Sequence, residues 1–186
     1  MAGWIKSTLS TFDLERLILR LLDTVEIFSG FTQAELIDLL GSAEKCVFNP
    51  GETILSEGSS GTFMYIIIDG EVEIRKKLAV GGEKILRNLG AGTCFGEMAL
   101  VDNDVRSASV RSKSKCLLLR LGEGDFWKTP SISAKLYRNI ARLLSRRLRD
   151  NNAMIALAFL ETEAEAEPEP CPEFDPAATQ RNFIRR

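Results

Sequence analysis

The chain has 186 residues, 45% of them hydrophobic, and a net charge of −2. That is enough to bury one globular core with helical extensions, and too little basic character for a broad nucleic-acid footprint. It contains no histidine, which removes the commonest general base and metal ligand and argues against Ser-His or Cys-His enzymes and cupin-type metal sites.

Residues 11–25 carry Phe12, Leu14, Leu17, Ile18, Leu21 and Leu22 at helical spacing, with Thr11 or Ser10 placed as N-cap. A second short helix is predicted over 32–40, where Thr32 and Glu35 make a capping-box pattern and Gly41 is placed to end it. From 44 to about 120 the pattern changes. Short β-prone segments at 53–56, 63–68, 71–76, 84–89, 108–111 and 115–121 are divided by glycine-bearing turns at 49–51, 58–61, 69–70, 81–82 and 90–92. Such a series predicts a β-sandwich, barrel or roll. Within it Glu71-Val72-Glu73-Ile74-Arg75 alternates, which gives one wet and one buried face.

Helix returns over 131–160, with room for a break near its start. Ile132, Leu136, Ile140, Leu144, Leu148, Ile155 and Phe159 fall near one stripe, and Arg138, Arg142, Arg146, Arg147 and Arg149 accompany it as a solvated face. The stripe suits a homodimer seam, or packing onto the β-structure of its own chain. Residues 161–176 are acidic and proline-rich and predict an extended tail, followed by a basic end at 181–186. Of the four cysteines, Cys46, Cys94, Cys116 and Cys171, none forms a Cys-x-x-Cys pair. They are read as reduced thiols in a cytoplasmic protein, the first three as small buried hydrophobes. The N-terminus has no secretory pattern, and no apolar run is long enough to span a bilayer.

The chemistry concentrates in residues 95–110, where a Gly-Glu pair and one arginine share a short polar loop. Arg106 can give a bidentate fork to an anion, and backbone N–H groups around 96–100 can add donors if that segment forms a helical turn. Gly96 has no Cβ, so backbone and ligand can approach closely. Glu97 repels an anion but can accept from a sugar hydroxyl and can hold the arginine in place. One acid and one arginine flanking a loop therefore suit a sugar phosphate better than a bare anion. The plainer alternative is a surface salt bridge across an irregular loop.

Phe95-Gly96-Glu97-Met98-Ala99-Leu100 followed by Arg106-Ser107-Ala108-Ser109-Val110 resembles the phosphate-binding cassette of the cyclic nucleotide-binding domain family. Pro50-Gly51-Glu52, Gly58, Gly61, residues 68–72 and Leu89-Gly90-Ala91-Gly92 fit the same pattern, and the resemblance covers about residues 26–160. It implies a mainly β fold with flanking helices (α+β): a jelly-roll-like β-roll with N-terminal helices and a long C-terminal helix. The implied divisions are an N-terminal helix at 1–25, the β-roll at 26–130, a hinge and dimerisation helix at 131–160, and a tail at 161–186.

By the same resemblance the ligand is a cyclic nucleotide, cAMP first and cGMP as the alternative, with no further cofactor or metal. Arg106 would bind the cyclic phosphate and Glu97 the ribose 2′-hydroxyl. Gly96 and Ala99 would contribute backbone contacts, Ser107 would touch the phosphate or a guanine base, and Met98 and Ala108 complete the cassette. The long helix is similar to that of the bacterial catabolite-activator group. This sets Asn151 and Asn152 near the places where hydroxyl residues there meet adenine, although Asn151 can equally be a polar seam residue that sets dimer register. The implied protein is a regulatory sensor and not an enzyme. It would form a homodimer through its C-terminal helix and pass its signal to a protein effector, with neither DNA nor membrane as partner. The alternative is a scaffold of the same fold that binds no nucleotide.

Overall fold

The computed structural model describes residues 11–165. Met1 to Ser10, Cys171, the acidic tail from 166 and the basic C-terminus lie outside the described residues.

Helix α1 (Thr11–Thr24) buries Ile18 and Leu21, and a 3-10 turn (Glu26–Phe28) carries Ile27 and Phe28 into the same core. Helix α2 (Gln33–Leu40) begins with the predicted capping box: the Glu35 N–H donates to Thr32 Oγ1 at 3.2 Å, and the Thr32 N–H donates to Glu35 Oε2 at 2.8 Å.

Eight strands follow: β1 (Glu44–Phe48), β2 (Thr53–Leu55), β3 (Phe63–Asp69), β4 (Glu71–Lys77), β5 (Glu83–Gly90), β6 (Cys94–Phe95), β7 (Ser109–Ser112) and β8 (Cys116–Gly122). They form two antiparallel four-stranded sheets, ordered β1-β8-β3-β6 and β2-β7-β4-β5. Between β6 and β7 lies helix α3 (Glu97–Asp102). Helix α4 (Glu123–Phe126) and the long helix α5 (Pro130–Glu165) end the described chain. This is the expected mainly β roll with flanking helices.

Two cores hold the first compact unit, which ends at Ser145. One lies between the sheets and contains Tyr65, Ile67, Phe95, Val110, Cys116 and Leu118. The other lies between the helices and the outer face of the first sheet and contains Phe28, Leu36, Met64, Ile66, Leu119, Leu121, Phe126 and Ile132. Side chains alternate across a strand. On β3, Met64 and Ile66 therefore face the helices while Tyr65 and Ile67 face the sandwich, and β8 divides Leu119 and Leu121 from Leu118 in the same way. Both strands are buried on both faces, so their sequences read as apolar runs rather than alternations. On β4 the wet face is only partly wet: Glu73 and Arg75 pair at 2.6 Å with most of each side chain covered.

Three expectations need correction. Cys46 is half-buried rather than buried, and its thiol is pushed up by that burial and by nearby Glu44. The long helix has no break near its start: Pro130 opens it, where a missing N–H costs nothing, and Thr129 accepts from Ser133 N–H at 3.0 Å. It also runs past residue 160 to Glu165, because Glu-Thr-Glu-Ala-Glu favours helix and the first proline comes only at Pro168. The apolar stripe divides. Ile132, Leu136, Ile140 and Leu143 are buried in their own chain's core, which is the second of the two uses foreseen for it. Residues 146–165 belong to a second unit, in which Leu148, Met154, Ile155, Leu157 and Phe159 are exposed. No helix among the described residues is long and apolar enough to cross a membrane.

Glu35 ties α2 to α5 within the first unit. Lys135 Nζ donates to its carboxylate at 2.6 Å and Ser131 Oγ at 2.6 Å, and with the Thr32 N–H they hold its pKa at about 2 instead of 4.5. Because the folded value is the lower one, this tie contributes fully above 4.5 and is lost as pH falls through about 2. The melting-temperature gap between wild type and Glu35→Gln should be constant near neutrality, narrow below pH 4.5 and close near 2. A gap unchanged through that window contradicts the assignment.

Candidate functional site

Strand β6 is two residues long, and both are buried against β3 through the pairs Tyr65–Phe95 and Ile66–Cys94. Gly96 then turns the chain out of the sheet with φ 82°, a conformation that glycine adopts without steric cost. Helix α3 starts at once, burying Glu97, Ala99 and Leu100 and exposing Met98 and Val101. Asn103 closes it at φ 56°, the residue type that best tolerates the left-handed region after glycine.

Arg106 returns to the same place. Its backbone is fixed by the preceding glycine loop: its N–H donates to Ser59 O at 2.8 Å, and its carbonyl accepts from Gly58 N–H at 2.9 Å. Its side chain is 3% exposed, with Nη1 donating to Gly96 O and Nη2 to Phe63 O, each at 2.7 Å. Nε is buried and has no partner. Burial pulls the guanidinium below its ordinary value, the charges of Tyr65 and Glu97 oppose that shift, and Arg120 adds to it. Glu97, 2% exposed, is thus the buried acid beside the buried base.

A guanidinium has five N–H donors. Two carbonyls leave donors to spare, and a buried Nε–H without an acceptor is costly unless an acceptor reaches it. An anionic oxygen meets that need. The residues present therefore fit a phosphate at Arg106, with the buried Glu97 carboxylate close enough to act on the guanidinium charge.

Of the four residues Gly96, Glu97, Ala99 and Arg106, the Gly96 carbonyl accepts from Arg106, Glu97 acts on its charge, and Ala99 is buried further along α3. Met98, Ser107 and Ala108 stand at the rim: Met98 and Ser107 are exposed, with Ser107 Oγ 3.7 Å from the Met98 sulfur, and Ala108 is half-buried. Asn151 and Asn152 are exposed on α5 in the second unit. The cassette described here is built within the first.

Two contributors escaped the sequence reading. Phe63 places its ring centroid 4.6 Å from Arg106 Cζ. Lys76 donates to Ser107 O at 2.6 Å and pairs with Glu57 at 2.8 Å, and Glu57 also accepts from the Lys77 N–H at 3.0 Å. Nothing in β4 distinguishes Lys76 from its charged neighbours. The β4–β7 register, Arg75 opposite Ser109, is what brings it beside the cassette.

Residues 45–130 match the family model described as cyclic nucleotide-binding domain. The cyclic AMP receptor protein of Thermus thermophilus is 30% identical over 135 residues, 73% of this chain and 62% of that protein. A cAMP-dependent protein kinase regulatory subunit of Mycosarcoma maydis is 36% identical over 86 residues, 46% of this chain and 16% of that one. The chain thus spans less than two thirds of either relative. Among solved structures, Thermus thermophilus catabolite activator protein superposes with TM-score 0.66 at 30% identity, covering 73% of this chain and 64% of that one. A cyclic nucleotide-binding domain from Methylobacillus flagellatus shares the fold with TM-score 0.71 at 23% identity, covering 85% and 87%. Residues 45–130 of this chain thus belong to the cyclic nucleotide-binding domain family, and the two-sheet roll with flanking helices is the fold they share with it.

Proposed function

We propose that the chain is a cytoplasmic regulatory sensor of cyclic nucleotides, cAMP before cGMP, with no catalytic activity of its own. The observation that carries this reading is the buried Arg106 fork beside buried Glu97, with its Nε–H unpartnered. Arg106 holds the cyclic phosphate, Glu97 accepts from the ribose 2′-hydroxyl, and Gly96 and Ala99 lend backbone contacts. Ser107 touches the phosphate or the base, with Met98 and Ala108 beside it. The Asn151 and Asn152 amides offer both donor and acceptor to a base edge, and the long helix relays binding to a protein effector. Isothermal titration with cAMP and with cGMP tests the ligand. Absence of heat with both at tens of micromolar would sink the reading.

A nucleotide-free scaffold is favoured by one fact: both Nη atoms of Arg106 already donate to backbone carbonyls. A thermal-shift screen in which no cyclic nucleotide raises the melting temperature would support it.

The sensor is a homodimer through the exposed part of α5, where Leu148, Ile155 and Phe159 follow at steps of seven and four residues. Sedimentation should find a wild-type dimer and a monomer for the double variant Leu148→Glu/Ile155→Glu. A wild type that stays monomeric at its highest soluble concentration removes the dimer.

A further inference from the structure

The Arg106 guanidinium sits in a slot whose walls lie partly outside the cassette. A Cβ at Gly61 would stand 2.8 Å from Nη2 and 2.9 Å from the Phe63 ring, and one at Gly96 would stand 2.9 Å from Nη1. Backbone therefore closes on the fork from two places where a Cβ would have to displace the guanidinium or the ring. Phe63 takes the third place, with its carbonyl on Nη2 and its ring under Cζ. The same ring carries Arg120 at 4.1 Å, and Glu44 holds Arg120 at 2.6 Å.

Phe63 is a half-buried residue at the head of β3. Packing at such a position is served by any large apolar side chain. Only an aromatic ring offers a flat π-face to a guanidinium, and an arginine left without one rotates about its long stem. Two arginines on one ring make the aromatic character of this position, rather than its volume, the property in use.

We propose that Phe63 is a positioning residue for anion binding: its ring, between the glycine walls at 61 and 96, holds the Arg106 fork in the plane from which it meets a phosphate. This rests on reading the site as a cyclic nucleotide pocket, and it supplies the orientation that the phosphate-binding group needs there. Phe63→Leu and Phe63→Met remove the ring and keep apolar bulk. Phe63→Tyr restores the ring. Phe48→Leu is the packing control, since Phe48 meets Tyr65 edge-on at 6.2 Å in the same aromatic group.

Two measurements decide. One is titration with cAMP and with its Rp and Sp phosphorothioate analogues, whose affinity ratio reports how firmly the fork is aimed at one oxygen. The other is hydrogen exchange of the Arg106 Nε–H in protein carrying 15N-arginine, assigned by its loss in Arg106→Lys. Loss of the ring should weaken cAMP about tenfold, flatten the Rp/Sp preference and speed Nε–H exchange about tenfold or more. Phe63→Tyr and Phe48→Leu should stay within about twofold of wild type. Folded Phe63→Leu, or Phe63→Met if the leucine variant does not fold, with wild-type exchange overturns the proposal. If wild type binds neither cAMP nor cGMP, the nucleotide reading fails, and the exchange measurement still decides whether Phe63 holds Arg106.

Discussion

Arg106→Ala should remove cyclic nucleotide binding. Hydrogen bonds from a charged donor contribute roughly 1.5 to 3 kcal/mol each, so a bidentate fork on phosphate contributes about 3 to 6 kcal/mol, on the order of 100- to 10,000-fold in Kd. The substitution also strips Glu97, 2% exposed, of the positive charge that acts on it, and removes the donors to Gly96 O and Phe63 O. The variant should therefore melt below wild type as well. Arg106→Lys keeps the charge and loses the fork, so it should recover more of the melting temperature than of the affinity. Titration and thermal melts on the same samples separate the two effects. A folded Arg106→Ala protein that binds cAMP as tightly as wild type would rule out the phosphate role.

Gly70→Ala should destabilise the fold severely, and it lies outside the cassette. Gly70 passes the chain from β3 in one sheet to β4 in the other, at φ 92°. A Cβ there would lie 2.5 Å from the Lys115 carbonyl oxygen and 2.9 Å from both Cα and Sγ of Cys116. The obstacles are mostly backbone, and Cys116 is buried between the sheets, so neither can step aside cheaply. Strain of about 1 to 3 kcal/mol for the left-handed conformation adds to displacement of the strand, for a total of about 3 to 5 kcal/mol. Domains of this kind have about 5 to 15 kcal/mol in all. Urea titration should show a large fall in midpoint with an unchanged slope. A loss under about 1 kcal/mol would mean that the turn is looser than its geometry indicates.

What the sequence disclosed follows what local physics encodes. Glycine turns and β-prone runs located six strands, and the Thr32–Glu35 box located α2 to within one residue. Strand β1, Glu44–Phe48, was missed because its two leading charges interrupt any apolar pattern, and β6 because two residues carry no period. The pairing of β3 with β8 joins Phe63 to Gly122, a separation along the chain that no local pattern encodes. The cassette was legible because Gly96, Glu97 and Arg106 lie within one short run. Phe63, Lys76 and Glu57 reach the same place through sheet register and a loop, so their roles became visible only in three dimensions. The long helix shows the complementary failure. A single stripe in sequence serves an internal core through Leu143 and then leaves Leu148, Ile155 and Phe159 exposed, and periodicity has no mark for that change of use.

Strands β3 and β8 form a party wall, since the helical core and the sandwich core lean on opposite sides of the same two backbones. Neither room can be dismantled while the other stands: exposing Met64 or Leu119 to water means releasing strands that also carry Ile67 and Leu118. The first unit therefore melts as one cooperative body rather than as a barrel with detachable helices. Phe63 O, an acceptor for Arg106, sits at the head of that wall. Under the phosphate role proposed for Arg106, a bound phosphate would pull where the two cores meet.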